Sequence, residues 1–162
     1  MAVRSCLGGM LFGSVFVIAG VGVALLIGKQ TVLACSRIEP ATRQGNCALT
    51  TNGFLGSDSR SFLLSELQSA SVAEKRDDEG DLLYRIELQT ERGTVPMNEV
   101  WSSGRRGKQA IASEINTFLQ TSNLPELNVD QDDRPMGLLF GGIFSLAGGG
   151  IVLGSLVGLV RG

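Results

Sequence analysis

The last apolar stretch constrains this chain most. Met136 to Val160 reads MGLLFGGIFSLAGGGIVLGSLVGLV, twenty-five residues without a charge. As a helix rising ~1.5 Å per residue it would be roughly 37 Å long, enough to cross a hydrocarbon core of ~30 Å. Arg134 precedes it and Arg161 follows it, where lipid headgroups would lie. A buried helix of a soluble protein is rarely apolar on every face over such a length. Leu7 to Ile27 is a second charge-free run. The pattern predicts two membrane helices, over 1–28 and 136–161, around one domain tethered at both ends.

That domain has about a hundred residues to work with, enough for one core. All sixteen acidic residues and twelve of the fourteen basic ones fall between the two runs, so the segment carries a net charge of −4. A mildly acidic domain is a poor partner for nucleic acid, which needs clustered Lys and Arg. The chain has no His, the commonest general base and metal ligand. At the N-terminus, MAVRSC before the apolar run has the charge order of a signal peptide. The run is long for one, however, and Gly28-Lys29-Gln30 offers no Ala-x-Ala cleavage pattern, so an anchored helix is expected. Val32-Leu33-Ala34-Cys35 matches a lipobox only superficially, since Lys29 separates it from the apolar run.

Both runs carry small residues four apart. The first has Gly9 and Gly13, then Gly20, Ala24 and Gly28; the second has Gly137, Gly141, Ser145 and Gly149, with Gly150, Gly154 and Gly158 on a neighbouring face. Small residues at this spacing let helix backbones approach closely in lipid, where hydrophobicity no longer drives association. The expectation is that the two helices pack on each other and that one face of the second is left for another protein. The alternative is that glycine is simply commoner in membrane helices.

Between the runs the pattern predicts strands first and one helix last. Gln30–Arg37 and Asn46–Thr51 alternate as strands, with Asn52-Gly53 a turn signal. Phe54 and Leu55 lead into a polar Ser57–Ser59 loop; Ser61–Leu64 and Ser69–Glu74 are further strands, and KRDDEGD, Lys75 to Asp81, is a loop tip. Leu82–Thr90 alternates strongly, Glu91-Arg92-Gly93 turns the chain, and Thr94–Trp101 is the last strand. Ser102 or Ser103 can cap a helix over 104–121 with an apolar stripe of Ile111, Ile115, Phe118 and Leu119. Residues 123–135, polar and acidic, form a linker.

This order resembles the pleckstrin-homology-like domains of bacterial membrane proteins. The stretch ELQTERGTVPMNEVWSSGRRGKQAIASEINTFL, Glu87 to Leu119, carries most of the likeness, and the CSR and NCALT segments around Cys35 and Cys47 resemble uncharacterised two-span proteins, notably cyanobacterial ones. The resemblance implies an α+β membrane protein. Over 29–122 it would have an antiparallel half-barrel closed by one amphipathic helix. These motifs are structural, and fold does not imply function.

Cys35 and Cys47 lie twelve apart on neighbouring predicted strands. They can form a disulfide in an oxidising compartment or stay as core thiols in a reducing one. Cys6, at the first boundary, is a candidate palmitoyl acceptor or a chance cysteine. Arg105, Arg106 and Lys108 open the predicted helix and either contact anionic headgroups or form a solvated helix start. Arg37 and Arg43, where a pleckstrin-type phosphoinositide site would draw its cations, form no cluster. The acidic runs Asp77–Asp81 and Asp130–Asp133 lack a calcium-loop pattern. No nucleophile motif or phosphate-binding glycine loop occurs.

The expected function is therefore non-catalytic, with no cofactor and no metal. The favoured role is a scaffold or assembly accessory docking to other integral membrane proteins of a larger complex. The cyanobacterial resemblance implies a photosynthetic partner in a thylakoid or plasma membrane. The alternative is a membrane-anchored module that binds anionic lipid. Counting Lys29, Arg37, Arg43 and Arg134 against Arg4 and Arg161 favours the cytoplasmic or stromal face for the domain. A cysteine bridge would favour the opposite face, but two buried thiols need no oxidant, and the pleckstrin-like resemblance also implies the cytoplasmic face, so that placement is the expectation.

Overall fold

The computed structural model describes residues 2–39 and 42–161, with side chains described over 7–39 and 42–160. Helix α1 (Ala2–Ile27) leads into strands β1 (Gln30–Arg37), β2 (Gly45–Gly53) and β3 (Gly56–Leu63). A short 3-10 turn, Leu64–Glu66, precedes β4 (Leu67–Arg76), β5 (Leu82–Thr90) and β6 (Gly93–Pro96). Helix α2 (Arg105–Gln120), strand β7 (Glu126–Asp132) and helix α3 (Arg134–Arg161) complete the chain. Two compact units result. One holds α1, α3 and the β2–β3 tip Gly53–Leu55; the other runs from Gln30 to Asn52 and Gly56 to Gln131.

In the helical unit, α1 and α3 are each long and apolar enough to cross a membrane. Their outward side chains, among them Leu11, Ile18, Leu146 and Leu153, are largely exposed.

The other unit is built from a four-stranded sheet in the order β3-β2-β1-β7 and a three-stranded sheet β4-β5-β6. Strands β1 and β2 are antiparallel, with Leu33 opposite Leu49 and Cys35 opposite Cys47. Alternation turns these four residues to one face, where they are buried. Ile86 and Leu88 of β5, Ile115, Phe118 and Leu119 of α2, and Leu127 and Val129 of β7 join them in one core. Helix α2 packs on β4 and β5. The architecture is thus α+β with antiparallel sheets, and the two sheets do not close into a barrel.

Four expectations from the sequence are corrected. The segment 123–135 is not a linker. Its ELNVDQD stretch is β7, burying Leu127, Val129 and Gln131 and turning acidic and amide residues outward. Arg37 N–H donates to Pro125 O and Asp133 N–H to Lys29 O, each at 2.9 Å, so β7 runs antiparallel to β1 at the end of the sheet. The closing helix is consequently followed by a strand rather than ending the domain.

The Ser57–Ser59 loop is instead part of β3, an edge strand exposed along nearly its whole length. It forms by pairing with β2, not by burying a face, so no apolar alternation announces it.

The strand predicted over Thr94–Trp101 stops at Pro96. Met97 N–H still reaches Ile86 O at 2.9 Å, but the next pairing is Tyr84 with Ser102. Four residues, Asn98–Trp101, thus stand between these two pairings opposite one, Arg85.

The start of α2 has no serine cap. Gly104, at φ 92°, occupies the cap position in the left-handed region that suits glycine, without a side-chain hydrogen bond.

Candidate interaction faces

The contact between α1 and α3 is made by glycine. An added Cβ on Gly20 would stand 2.6 Å from Gly141 O, and one on Gly13 would stand 2.7 Å from Gly148 O. Gly137 meets the backbone of Gly28, and Gly9 meets Ser155. Ala24 lies against Gly141, and Ser145 against Gly20. Phe16 of α1 stacks on Phe144 of α3, with ring centroids 6.2 Å apart.

The four-residue spacing predicts Gly149 on this face, yet the residue in contact is Gly148, and an added Cβ on Gly149 would meet no atom within 4 Å. Steps of four residues drift off a helix face of ~3.6 residues per turn, whereas alternating four and three follows a partner helix. The contact stripe Gly141, Ser145, Gly148, Val152, Ser155 has that alternation.

The opposite face of α3 is open. Gly150 lies nine residues beyond Gly141, two and a half turns at ~3.6 residues per turn, and so points the other way. An added Cβ at Gly150 or Gly154 would meet no atom within 4 Å. Gly158, one more step along, is exposed. This face, where Gly150 and Gly154 lie among exposed apolar side chains such as Leu146 and Val157, is one that α1 does not use.

The β unit carries the remaining candidates. Cys35 and Cys47 are joined in a cross-strand disulfide, buried in the core. The side chain of Cys6 lies outside the described residues.

Of the three cations at the start of α2, Arg105 and Arg106 are exposed. Lys108 is not a surface cation. It is 6% exposed, and its Nζ donates to Ser102 O at 3.2 Å, Ser102 Oγ at 2.9 Å and Ser103 O at 2.8 Å. It ties down the loop before the helix, because a buried ammonium needs acceptors around it.

Arg37 is also engaged internally. Its Nη1 donates to Thr42 O and its Nη2 to Phe118 O, both at 2.7 Å, and its Nε donates to Leu124 O at 3.1 Å. The guanidinium stands 4.6 Å from the Phe118 ring centroid. It thereby satisfies a carbonyl in the last turn of α2 that the helix itself leaves without a partner.

Two features had no clear sequence signal. Trp101 receives two cations, Arg85 at 4.4 Å and Lys75 at 4.8 Å from its ring centroid, while Arg85 also pairs with Glu87. An open cleft of about 420 Å³ lies between the sheets, with Leu49, Phe62 and Val95 in its lining. Arg92 and Glu66, paired at 2.8 Å, and Arg60 also line it. Among the described residues no group of three or more acidic or cysteine side chains converges as a metal site would require.

Comparison with protein-family models, with curated proteins and with solved structures finds no match for this chain.

Proposed function

We propose that this chain is a non-catalytic integral membrane accessory protein that docks to a larger membrane complex through α3. The observation that carries this reading is the two-sided use of glycine on α3. One face, centred on Gly141, is filled by α1, while the opposite face of Gly150 and Gly154 stays open. In lipid, a small-residue face is a packing surface for another helix. Large apolar side chains flank it, as a bilayer would favour. Mild-detergent purification followed by mass spectrometry tests the docking: stoichiometric integral membrane partners are expected.

A pleckstrin-like reading of the β unit draws support from its two antiparallel sheets and amphipathic α2; β7 after the helix departs from that pattern. The cyanobacterial resemblance points to a photosynthetic complex as the partner class. The lipid-binding alternative rests on Arg105 and Arg106 alone, since Lys108 and Arg37 are engaged inside the domain.

The Cys35–Cys47 bond favours the oxidising side of the membrane, the periplasm or a lumen, for the β unit. The basic-residue count argues for the other face. That count applies to loops of up to ~60 residues, and the segment between the spans is far longer. We therefore place the domain on the oxidising side.

A further inference from the structure

The β2–β3 turn is unusual for a hairpin. Such tips in water favour Gly, Asn, Asp and Ser. Here Asn52-Gly53 is followed by Phe54 and Leu55, and only then by the polar strand Ser57-Asp58-Ser59-Arg60. Leu55 is 79% exposed and Phe54 50%. Neither belongs to the core of the β unit. Gly53–Leu55 instead groups with α1 and α3.

The contact is specific. A Phe54 ring carbon lies 2.7 Å from where a Cβ on Gly28 would stand, so only glycine leaves room for the ring. Gly28 donates its N–H to Ala24 O at 2.9 Å, the last such bond of α1, and faces Gly137 at the start of α3. Phe54 therefore sits at the level where α1 ends and α3 begins. Lys29 follows Gly28 directly, and Arg134 stands three residues before Gly137. At ~1.5 Å per helical residue, that level is within one turn of the first charges, the boundary between headgroups and acyl chains. Leu26 and Met136, also exposed, continue the apolar surface beside it.

We propose that Phe54 and Leu55 form a third membrane contact, an interfacial anchor in which Phe54 seats on Gly28 and Leu55 enters the lipid at the headgroup–acyl boundary. The occupant of this surface is the bilayer, because the tip is continuous with the apolar belt of the two helices. An apolar residue at such a tip gains by leaving water and needs no hydrogen-bond partner there. The inference rests on α1 and α3 spanning the membrane.

The test uses the full chain with Cys6→Ser, reconstituted in phosphatidylcholine vesicles with the Cys35–Cys47 bond intact. An environment-sensitive fluorophore is placed on Leu55→Cys. Leu146→Cys, in the middle of α3, and Asp78→Cys, on an exposed loop, serve as references. Quenchers are lipids with a nitroxide near the head or near the end of the acyl chain, and iodide in water. The label at 55 is expected to emit to the blue of the label at 78. It should be quenched more by the shallow nitroxide than by the deep one, with the reverse order at 146. Emission and iodide quenching at 55 equal to those at 78, with 146 still deep, would overturn the anchor alone. Water-like behaviour at 146 would overturn the spanning reading. A blue-shifted label at 55 that neither nitroxide reaches would show a protein covering the tip, which also overturns the proposal.

Discussion

The side-chain amide of Asn116 on α2 hydrogen-bonds both backbone groups of Ala70 on β4. Its Oδ1 accepts from Ala70 N–H and its Nδ2 donates to Ala70 O, each at 2.8 Å. β4 is an edge of its sheet, and Asn116 stands in for the missing neighbouring strand. Unpaired edges invite association with other chains; here the helix packs on this edge and occupies the two backbone groups of Ala70.

Asn116→Ala should therefore destabilise the β unit by about 1–3 kcal/mol, the cost of leaving partly buried polar groups unsatisfied. Asn116→Asp should not rescue it, because its second oxygen would face Ala70 O without a proton to give. Denaturant unfolding of the full chain in detergent, followed through Trp101 fluorescence, checks both variants.

Arg37 should behave as a structural clamp rather than a lipid ligand. Arg37→Lys loses the planar fork that reaches Thr42, Phe118 and Leu124 at once. We expect a loss of roughly 1–3 kcal/mol in unfolding stability. Binding of the folded variant to anionic vesicles should be unchanged. Intact stability with weakened vesicle binding would reverse that assignment.

How much of this was legible in the sequence varied with the kind of signal. The long apolar helices and the alternating strands β1, β2 and β5 announce themselves, because burial imposes a regular period on them. The apolar stripe of α2 was likewise readable. β3 was not, since it is held by pairing with β2 and buries almost nothing. β7 did carry its alternation in Leu127, Val129 and Gln131, but acidic composition masked it. Lys108 looked like a surface cation because its three acceptors come from the loop before α2 and leave no periodic trace. The small-residue faces were visible as composition. Which face meets α1 depended on the drift between a four-residue step and the helical turn, which put Gly148 where Gly149 was expected.

The two glycine faces of α3 give opposite expectations. Gly141→Leu should break the α1–α3 pair, because any side chain there meets Gly20 O and Ala24. Gly154→Leu should leave the pair intact. A Gly9→Cys, Ser155→Cys chain with Cys6→Ser reports on this. The Cβ on residue 9 would lie 3.4 Å from Ser155 Cβ, close enough for a disulfide to form on mild oxidation. The cross-link should persist with Gly154→Leu and be lost with Gly141→Leu.

The Cys35–Cys47 bond should make both cysteines unreactive to maleimide until a reductant is added. Replacing both by Ala should cost about 2–4 kcal/mol, as for loops of this order. In sealed vesicles oriented with the oxidising face outward, the β unit should be open to added protease. Free thiols in a protease-protected domain would place it on the cytoplasmic face.

The docking role is tested most directly by purifying the wild type and the Gly150→Leu/Gly154→Leu double variant in mild detergent and identifying what accompanies each. Stoichiometric integral membrane partners should accompany the wild type and be lost from the variant, while the α1–α3 cross-link stays intact in both. A wild-type protein that purifies without protein partners, or a variant that keeps them in full, would contradict docking through the open face of α3.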